Sequence, residues 1–183
     1  MSEVLNNQNL AELQLQLIKE VHELLSFLDI PHWLDGGWAL DFLLGEISRE
    51  HKDIDWLIWK KDALRVRAVL TQHRYCQQTL KHPAEHIGFY KQQVYVSFTL
   101  NELNEQGQVV TSGRWRDWPY PTGALSAPWG QLRDLRCPIV SAVAQLDVRQ
   151  NYHLHPAGAP MRAVDALEIK KLQAYIAKQN ESD

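Results

Sequence analysis

Two acidic residues one position apart, Asp53 and Asp55, are the first side chains whose spacing suits a chemical function. They flank Ile54 at the start of residues 53–59, which we predict to be a strand. Side chains alternate along a strand, so both carboxylates leave the same face while Ile54 enters the core. Such a pair can bind one or two Mg²⁺ ions and leave room for substrate phosphates. Alone it is weak evidence, because short acidic pairs are common where strands begin.

A double glycine, Gly36-Gly37, lies upstream, between a predicted short strand around Trp33 and Leu34 and a predicted helix that stops at Gly45. A glycine turn that feeds a helix N-terminus suits phosphate, because backbone N–H groups and the positive end of the helix dipole point at one spot. Glycine turn and acid pair together suggest a divalent metal held against a polyphosphate.

The remaining pattern supplies the elements that must position these residues. Residues 10–28 have the three-and-four apolar spacing of an amphipathic helix, which Pro31 ends. Downstream we predict a helix over 60–72 with Leu64, Ala68 and Leu70 turned inward, strands over 75–80, 86–90 and 93–100, a hairpin turn at 104–107 with a return over 108–111, and helices over 140–147 and 161–178. Strands alternating with helices, followed by a helical end, indicate an α+β fold: a small mixed sheet with flanking helices and a C-terminal helical part.

Residues 112–138 differ in character, because large aromatic residues alternate with prolines, Pro128 among them, and glycines. We predict a long irregular segment here. It is either a loop pinned to the core by its rings or one wall of a substrate cleft, since long structureless loops in compact domains are often functional. We predict one domain over residues 1–183. Its parts are an N-terminal helix in 1–30, a catalytic sheet core in 31–111, this aromatic and proline-rich loop in 112–138, and C-terminal helices in 139–183.

Composition limits the class of protein. The chain has 183 residues, 45% of them hydrophobic and 22% charged, with a net charge of −3, which argues against a general nucleic-acid binder. Cys76 and Cys137 are the only cysteines, too few for a disulfide framework or a thiolate zinc site. We see neither a secretory signal nor a run of about 20 apolar residues, so we expect no membrane partner and a cytoplasmic protein. The sequence leaves the oligomeric state open.

The stretch from Trp33 to Asp55 resembles the signature of the lincosamide and aminoglycoside 2″-nucleotidyltransferases, small members of the DNA polymerase β-like nucleotidyltransferase superfamily. The residues that carry the likeness are Trp33-Leu34-Asp35-Gly36-Gly37-Trp38-Ala39-Leu40-Asp41, Gly45 and Arg49-Glu50-His51-Lys52-Asp53-Ile54-Asp55. The match is dense over about 25 residues and continues more thinly over roughly residues 30–175.

The resemblance implies transfer of AMP from ATP-Mg to a hydroxyl of a small molecule, such as a lincosamide or aminoglycoside. Implied roles are triphosphate binding by Gly36 and Gly37, metal binding by Asp53 and Asp55, and nucleotide contacts from Arg49, His51 and Lys170. Nucleoside triphosphate, small-molecule acceptor and Mg²⁺ are the implied ligands.

One departure from the family pattern affects the expected chemistry. The superfamily has a third carboxylate on a neighbouring strand, which helps to bind metal and often acts as general base. Counting back from the turn at 104–107 puts Ser97 at that position. Either this register is wrong, or Glu85 or Glu102 substitutes, or the protein is a catalytically impaired nucleotide-binding or regulatory domain.

Four other acids invite comparison with the candidate site. Asp35 and Asp41 could be active-site acids, although a turn acid and an exposed helix position are plainer explanations. We expect Asp165 and Glu168, on the last long helix, to face solvent, although either could lie near the base or acceptor.

Overall fold

In a computed structural model, residues 7–126 and 129–181 are described. Residues 1–6 of the predicted N-terminal segment, Pro128 of the predicted loop and the last two residues of the predicted C-terminal part lie outside them. The helices are α1 Asn7–Phe27, α2 Gly36–Leu44, α3 Ala63–Gln72, α4 Ala142–Asn151 and α5 Ala163–Asn180. The strands are β1 His32–Asp35, β2 Asp53–Trp59, β3 Cys76–Gln78, β4 His86–Lys91, β5 Val94–Leu103, β6 Val109–Thr111, β7 Trp129–Leu132 and β8 Leu135–Pro138.

Six strands form one mixed sheet, which confirms the predicted α+β class. Their order is β1-β2-β5-β4-β3, with β6 added to β5, and β2 and β5 are parallel while the other pairs are antiparallel. β7 and β8 form a separate hairpin. The predicted irregular segment 112–138 is therefore wrong over its last part, where aromatic and apolar residues alternate with polar ones and pair as short strands.

The two faces of β2 explain why its acids cluster at one end. Ile54, Trp56 and Ile58 are fully buried in the main core, against α1 and α3. On the opposite face Asp53 and Asp55 come first, and Leu57 follows, buried in a second apolar cluster with residues from α4 and the segment before β7. The strand is thus polar on one face only at its start.

Helix ends near the site follow from local sequence. α2 ends at Gly45, whose φ of 77° is left-handed and whose N–H donates to the carbonyl of Asp41 at 2.8 Å, as predicted. The inward set predicted for residues 60–72 is wrong for Leu64, which is 78% exposed, and for Ala68. A short 3₁₀ turn precedes α3, and the helix buries Val66 and Val69 beside Leu70 instead.

Among the described residues no helix has both the length and the apolar composition needed to cross a membrane.

Candidate active site

The acid pair and the glycine turn meet at one end of the sheet. β1 pairs with β2 so that Asp35, the last residue of β1, lies opposite Asp55. α2 starts immediately afterwards at Gly36, whose φ of 64° is left-handed. A Cβ atom added to Gly36 would lie 2.7 Å from Oδ2 of Asp55, so only glycine lets the backbone approach the carboxylate this closely.

The register between β2 and β5 shows which residue faces the acid pair. Asp55 pairs with Ser97, and the Ser97 hydroxyl donates to Oδ1 of Asp55 at 2.6 Å. The position identified by counting is therefore the one that faces Asp55 from the neighbouring strand. Burial first, and then the negative charge of Asp53, raise the pKa of Asp55 to about 7, while the Ser97 hydrogen bond lowers it.

Neither glutamate considered as a substitute can reach Asp55. Glu102 lies five residues beyond Ser97, about 16 Å along β5 and on the opposite face, and its carboxylate binds Lys60 at 3.0 Å. Glu85 is buried beyond the start of β4 and receives 2.7 and 2.9 Å hydrogen bonds from the Arg114 guanidinium. These bonds hold the pKa of Glu85 down, at about 2.

An arginine and carboxylate network forms the opposite side of the cleft. Buried Glu168 of α5 accepts hydrogen bonds from Nε of Arg49 at 2.8 Å and from Nε of Arg149, on α4, at 2.7 Å. Arg149 also donates to the carbonyl of Gly36 at 2.9 Å, and Arg162 is paired with buried Asp165 at 2.7 Å. The expectation that Asp165 and Glu168 face solvent is therefore wrong, because they are the partners of these arginines.

Together these elements enclose a cleft of about 450 Å³. Among the described residues that line it are five carboxylates and three guanidinium groups, an excess of two negative charges. They are Asp35, Asp53, Asp55, Asp165, Glu168, Arg49, Arg149 and Arg162. A divalent cation would balance that excess.

The donor set at the acid pair fits Mg²⁺. Asp53 is exposed and Asp55 partly buried, and both offer hard carboxylate oxygens, the ligands that Mg²⁺ prefers, from one strand face. In the described part of the chain no group of three or more His, Cys, Asp or Glu side chains is arranged to hold a metal. Mg²⁺ usually takes one or two carboxylates and completes its shell with water and phosphates, so the acid pair alone could supply the protein ligands.

Two residues predicted to contact nucleotide lie elsewhere. His51 is buried beneath the glycine turn, where Nε2 bonds Oδ2 of Asp41 at 2.6 Å and the ring packs on Trp38 with centroids 4.3 Å apart. It supports the turn rather than lining the cleft. Lys170 is exposed on α5 and does not line the cleft, because two residues of helix turn it about 200° away from Glu168.

A second, smaller cavity of about 230 Å³ opens beside the cleft. It shares Asp35, Val148 and Tyr152 with the cleft, and its far wall carries Trp115 and Trp118. Of the two interpretations of the aromatic segment, this placement favours the cleft wall. The aromatic content of residues 114–120 marked them in the sequence as a candidate part of the site. No local signal marked Arg149, because its partners Gly36 and Glu168 are distant in the sequence.

The sheet, glycine turn and acid pair define a nucleotidyltransferase-type fold. A sequence model of the aminoglycoside-2″-adenylyltransferase family matches residues 17–172, so the chain belongs to this family. It is 25% identical over 177 residues to a lincosamide resistance protein from Staphylococcus haemolyticus, covering 93% of this chain and 99% of that protein.

Two solved structures share the fold. The lincosamide antibiotic adenylyltransferase LnuA, bound to lincomycin, superposes with a TM-score of 0.66 at 22% identity, over 87% of this chain and 96% of that one. ANT(2″)-Ia, in complex with adenylyl-2″-tobramycin, superposes with a TM-score of 0.71 at 16% identity, over 92% of this chain and 93% of that one. These likenesses confirm the family and fold predicted from residues 33–55.

The Glu168 network leads to a prediction about stability. Burial alone would raise the pKa of Glu168, but the charges and hydrogen bonds of Arg149 and Arg49 outweigh it and hold that pKa below the ordinary glutamate value. Glu168→Gln should lower the free energy of unfolding by about 3 kcal/mol at pH 7, because it leaves the nearly buried Arg149 without its partner. The wild-type contribution is complete above the ordinary glutamate pKa near 4.3 and is lost as the pH falls through the lowered pKa.

Urea unfolding of both proteins between pH 3 and 8 measures this difference. Glu181→Gln, at an exposed position just after α5, is the matched control. A gap that stays constant down to pH 3 would contradict the ion-pair explanation.

Proposed function

We propose that the protein is a Mg²⁺-dependent nucleotidyltransferase that moves AMP from ATP to a hydroxyl of a small molecule, of the lincosamide or aminoglycoside type. The observation that carries this proposal is that two different sites share lining residues. The charged cleft, with its glycine turn, acid pair and three arginines, adjoins the aromatic cavity along Asp35, Val148 and Tyr152. LnuA is a lincosamide antibiotic adenylyltransferase and the Staphylococcus haemolyticus relative is a lincosamide resistance protein, and both names support the same class of reaction. A cytoplasmic location remains our expectation.

The cleft is suited to hold the triphosphate. The start of α2 offers backbone N–H groups, and the Arg49 guanidinium, which lies against Gly37, lines the same cleft. Asp53 and Asp55 would hold the Mg²⁺, which supplies charge stabilisation to the phosphates when bound. Arg149 keeps the glycine turn in place through the Gly36 carbonyl.

The reaction itself is an in-line displacement. The acceptor hydroxyl oxygen forms a bond to the α-phosphorus, the bond from that phosphorus to the bridging oxygen breaks, and pyrophosphate leaves with the electron pair. β5 offers a serine and no base opposite Asp55. Asp35 borders both the cleft and the cavity, so we infer that its carboxylate accepts the hydroxyl proton as the bond forms.

Pyrophosphate release is the direct test of the proposal. Purified protein with ATP, Mg²⁺ and either lincomycin or tobramycin should release pyrophosphate and yield an adenylylated product detectable by mass spectrometry. Absence of product with both acceptors, and with a wider panel of hydroxyl compounds of these two classes, would overturn it.

A second candidate function rests on one specific observation, the serine that faces Asp55. A domain that binds nucleotide without turnover would keep the glycine turn and the arginines and lose the third acid. ATP-Mg binding by calorimetry, with no product from any acceptor, would favour this alternative.

The glycine turn gives a prediction about nucleotide affinity. Gly37→Ala should weaken ATP-Mg binding at least about tenfold, because its Cβ would lie 2.5 Å from Nδ1 of His51 and against the Arg49 guanidinium. His51 cannot yield easily, since it is buried and bonded to Asp41. Calorimetric titration with ATP-Mg measures the effect.

Gly107→Ala is the matched control, because a Cβ at this hairpin tip meets nothing within 4 Å. It should cost some stability through its left-handed φ of 74° and leave the nucleotide Kd unchanged. Unchanged affinity in folded Gly37→Ala would show that the turn is not the phosphate site.

A further inference from the structure

We infer that Arg162 is an exchangeable cation of the cleft, which leaves Asp165 to bind the β- and γ-phosphates, the part of the nucleotide that departs as pyrophosphate. This inference rests on the proposed function only in taking the cleft as the triphosphate site. It follows from how firmly the cleft arginines are held and from the bonds that Asp165 keeps without the Arg162 side chain.

Arg149 shows what a firmly held arginine of this cleft looks like. Its Nε donates to Glu168 at 2.7 Å. Its Nη1 and Nη2 donate to the carbonyls of Gln145 and Gly36, at 3.1 and 2.9 Å. The side chain is 9% exposed. Arg149 is therefore a fixed part of the wall, because all three of its side-chain nitrogens are already bonded.

Arg162 is held much less firmly. Its side chain is 69% exposed, and within the described ranges its nitrogens bond only Asp165, through Nη2 at 2.7 Å and Nε at 3.1 Å. Nη1 is left free for a ligand. An ion pair with so exposed a partner adds little to stability, because water screens the attraction between its charges. The Arg162 side chain can therefore leave Asp165 at small cost.

A phosphate ligand in the cleft competes well with Asp165 for this guanidinium. Arg162 lines the same cleft as the glycine turn and the acid pair. The planar fork of an arginine binds phosphate oxygens in pairs, and a pyrophosphate group carries several negative charges where Asp165 carries one. Further negative charge collects on the pyrophosphate as its bond to the α-phosphorus breaks. A guanidinium placed there stabilises the departing group.

Asp165 keeps other favourable interactions when the Arg162 side chain moves away. Its Oδ2 accepts a 2.7 Å hydrogen bond from the backbone N–H of Arg162, which caps the start of α5. The first turn of a helix also favours a negative charge. Burial would raise the pKa of Asp165, but the hydrogen bonds and charge of Arg162 and, more weakly, the charge of Arg149 hold it below the ordinary value. Asp165 is thus left with its cap bond and the charge of Arg149.

Binding of magnesium pyrophosphate to the full chain, measured by calorimetry without nucleotide or acceptor, tests this exchange. Arg162→Gln should weaken the binding about tenfold or more, because the cation is lost. Asp165→Asn should tighten it about threefold or more, because the arginine is no longer held. The amide oxygen of the new side chain can still accept the cap bond. A purely structural ion pair would make both folded variants lose affinity, and that result would overturn the inference.

A double variant separates the release of Arg162 from the simple loss of a negative charge. In Arg162→Gln/Asp165→Asn no arginine is available, so pyrophosphate should bind as weakly as it does to Arg162→Gln alone. If Asp165→Asn brings the same gain in this background, the gain comes from the removed charge and the inference is refuted. Arg136→Gln, at an exposed position of β8 that does not line the cleft, is the matched control and should bind normally.

Failure of the inference and failure of the proposed function give different results. Arg162→Gln should lower kcat with saturating ATP-Mg and acceptor by about 10²-fold or more, and Arg162→Lys should keep only part of the rate because an ammonium lacks the planar fork. A wild-type kcat in Arg162→Gln would sink the inference and leave the transferase function intact. Opposite effects of the two single variants on pyrophosphate binding, without product from any acceptor, would sustain the inference and sink the function.

Discussion

Replacing Asp53 or Asp55 by asparagine is expected to reduce pyrophosphate release from ATP-Mg by about 10³-fold or more. Each carboxylate supplies charge that would hold Mg²⁺ against the triphosphate, and positioning with electrostatic stabilisation carries most of the rate in phosphoryl transfer. Initial rates with a saturating acceptor measure the loss. Asp134→Asn, an exposed acid in the turn between β7 and β8, should retain full activity.

Asp55→Asn, which should lower the activity, should raise the stability of the metal-free protein. In the metal-free protein the pKa of Asp55 is raised to about 7, so stability falls as the pH rises from the ordinary aspartate value near 3.9 to about 7 and stays low above it. Asp55→Asn should therefore be more stable than the wild type by about 1–3 kcal/mol at pH 8, with no gain near pH 4. An Asp55→Asn protein that loses both activity and stability would indicate misfolding instead of a lost metal ligand.

Replacing Asp35 by asparagine is expected to lower kcat by about 10²–10⁴-fold, the usual cost of losing a general base. The amide keeps the size of the side chain and cannot accept the proton. Because Ser97 faces Asp55 from the other side, adding Ser97→Asp to this variant should restore part of the lost rate by supplying a carboxylate from β5. Single-turnover rates with ATP-Mg and acceptor separate this chemical step from binding.

The double variant distinguishes the interpretations of Ser97. Ser97→Asp in the wild-type background should also be less stable without Mg²⁺ at pH 8, since it places a second carboxylate where a hydroxyl now donates to Asp55 at 2.6 Å. If the double variant regains catalytic rate, and Mg²⁺ restores the stability of Ser97→Asp, then the general base can be supplied from either β1 or β5. If Asp35→Asn keeps full activity, Asp35 is not the base.

Local pattern predicted the parts of the fold that depend on nearest neighbours in sequence. The strand Asp53–Trp59 and the helix end at Gly45 have the predicted bounds, because alternation and a left-handed glycine are local signals. The turn at 104–107, where the N–H of Gly107 donates to the carbonyl of Asn104, was also a local signal. Counting back from it identified Ser97 as the residue opposite the acid pair.

Contacts between segments that are distant in the chain could not be predicted from the sequence. Arg49 and Glu168 are 119 residues apart, and Arg149 and Gly36 are 113 apart, so no periodicity could pair them. Lys170 and Glu168 lie on one helix and are both charged, with opposite signs, and packing decides which of the two faces the cleft. The structure places Lys170 on the exposed side of α5, and its predicted contact with nucleotide stays a prediction.

The position of α4 suits it to couple the binding of the two proposed ligands. Val148 borders both the cleft and the cavity, and the next residue, Arg149, holds the Gly36 carbonyl. We expect any shift of this helix on binding one ligand to change the shape of the other site. Thermodynamic reciprocity then requires that the factor by which nucleotide alters acceptor affinity equals the factor by which acceptor alters nucleotide affinity. We therefore expect α4, which borders both sites, to set their cooperativity.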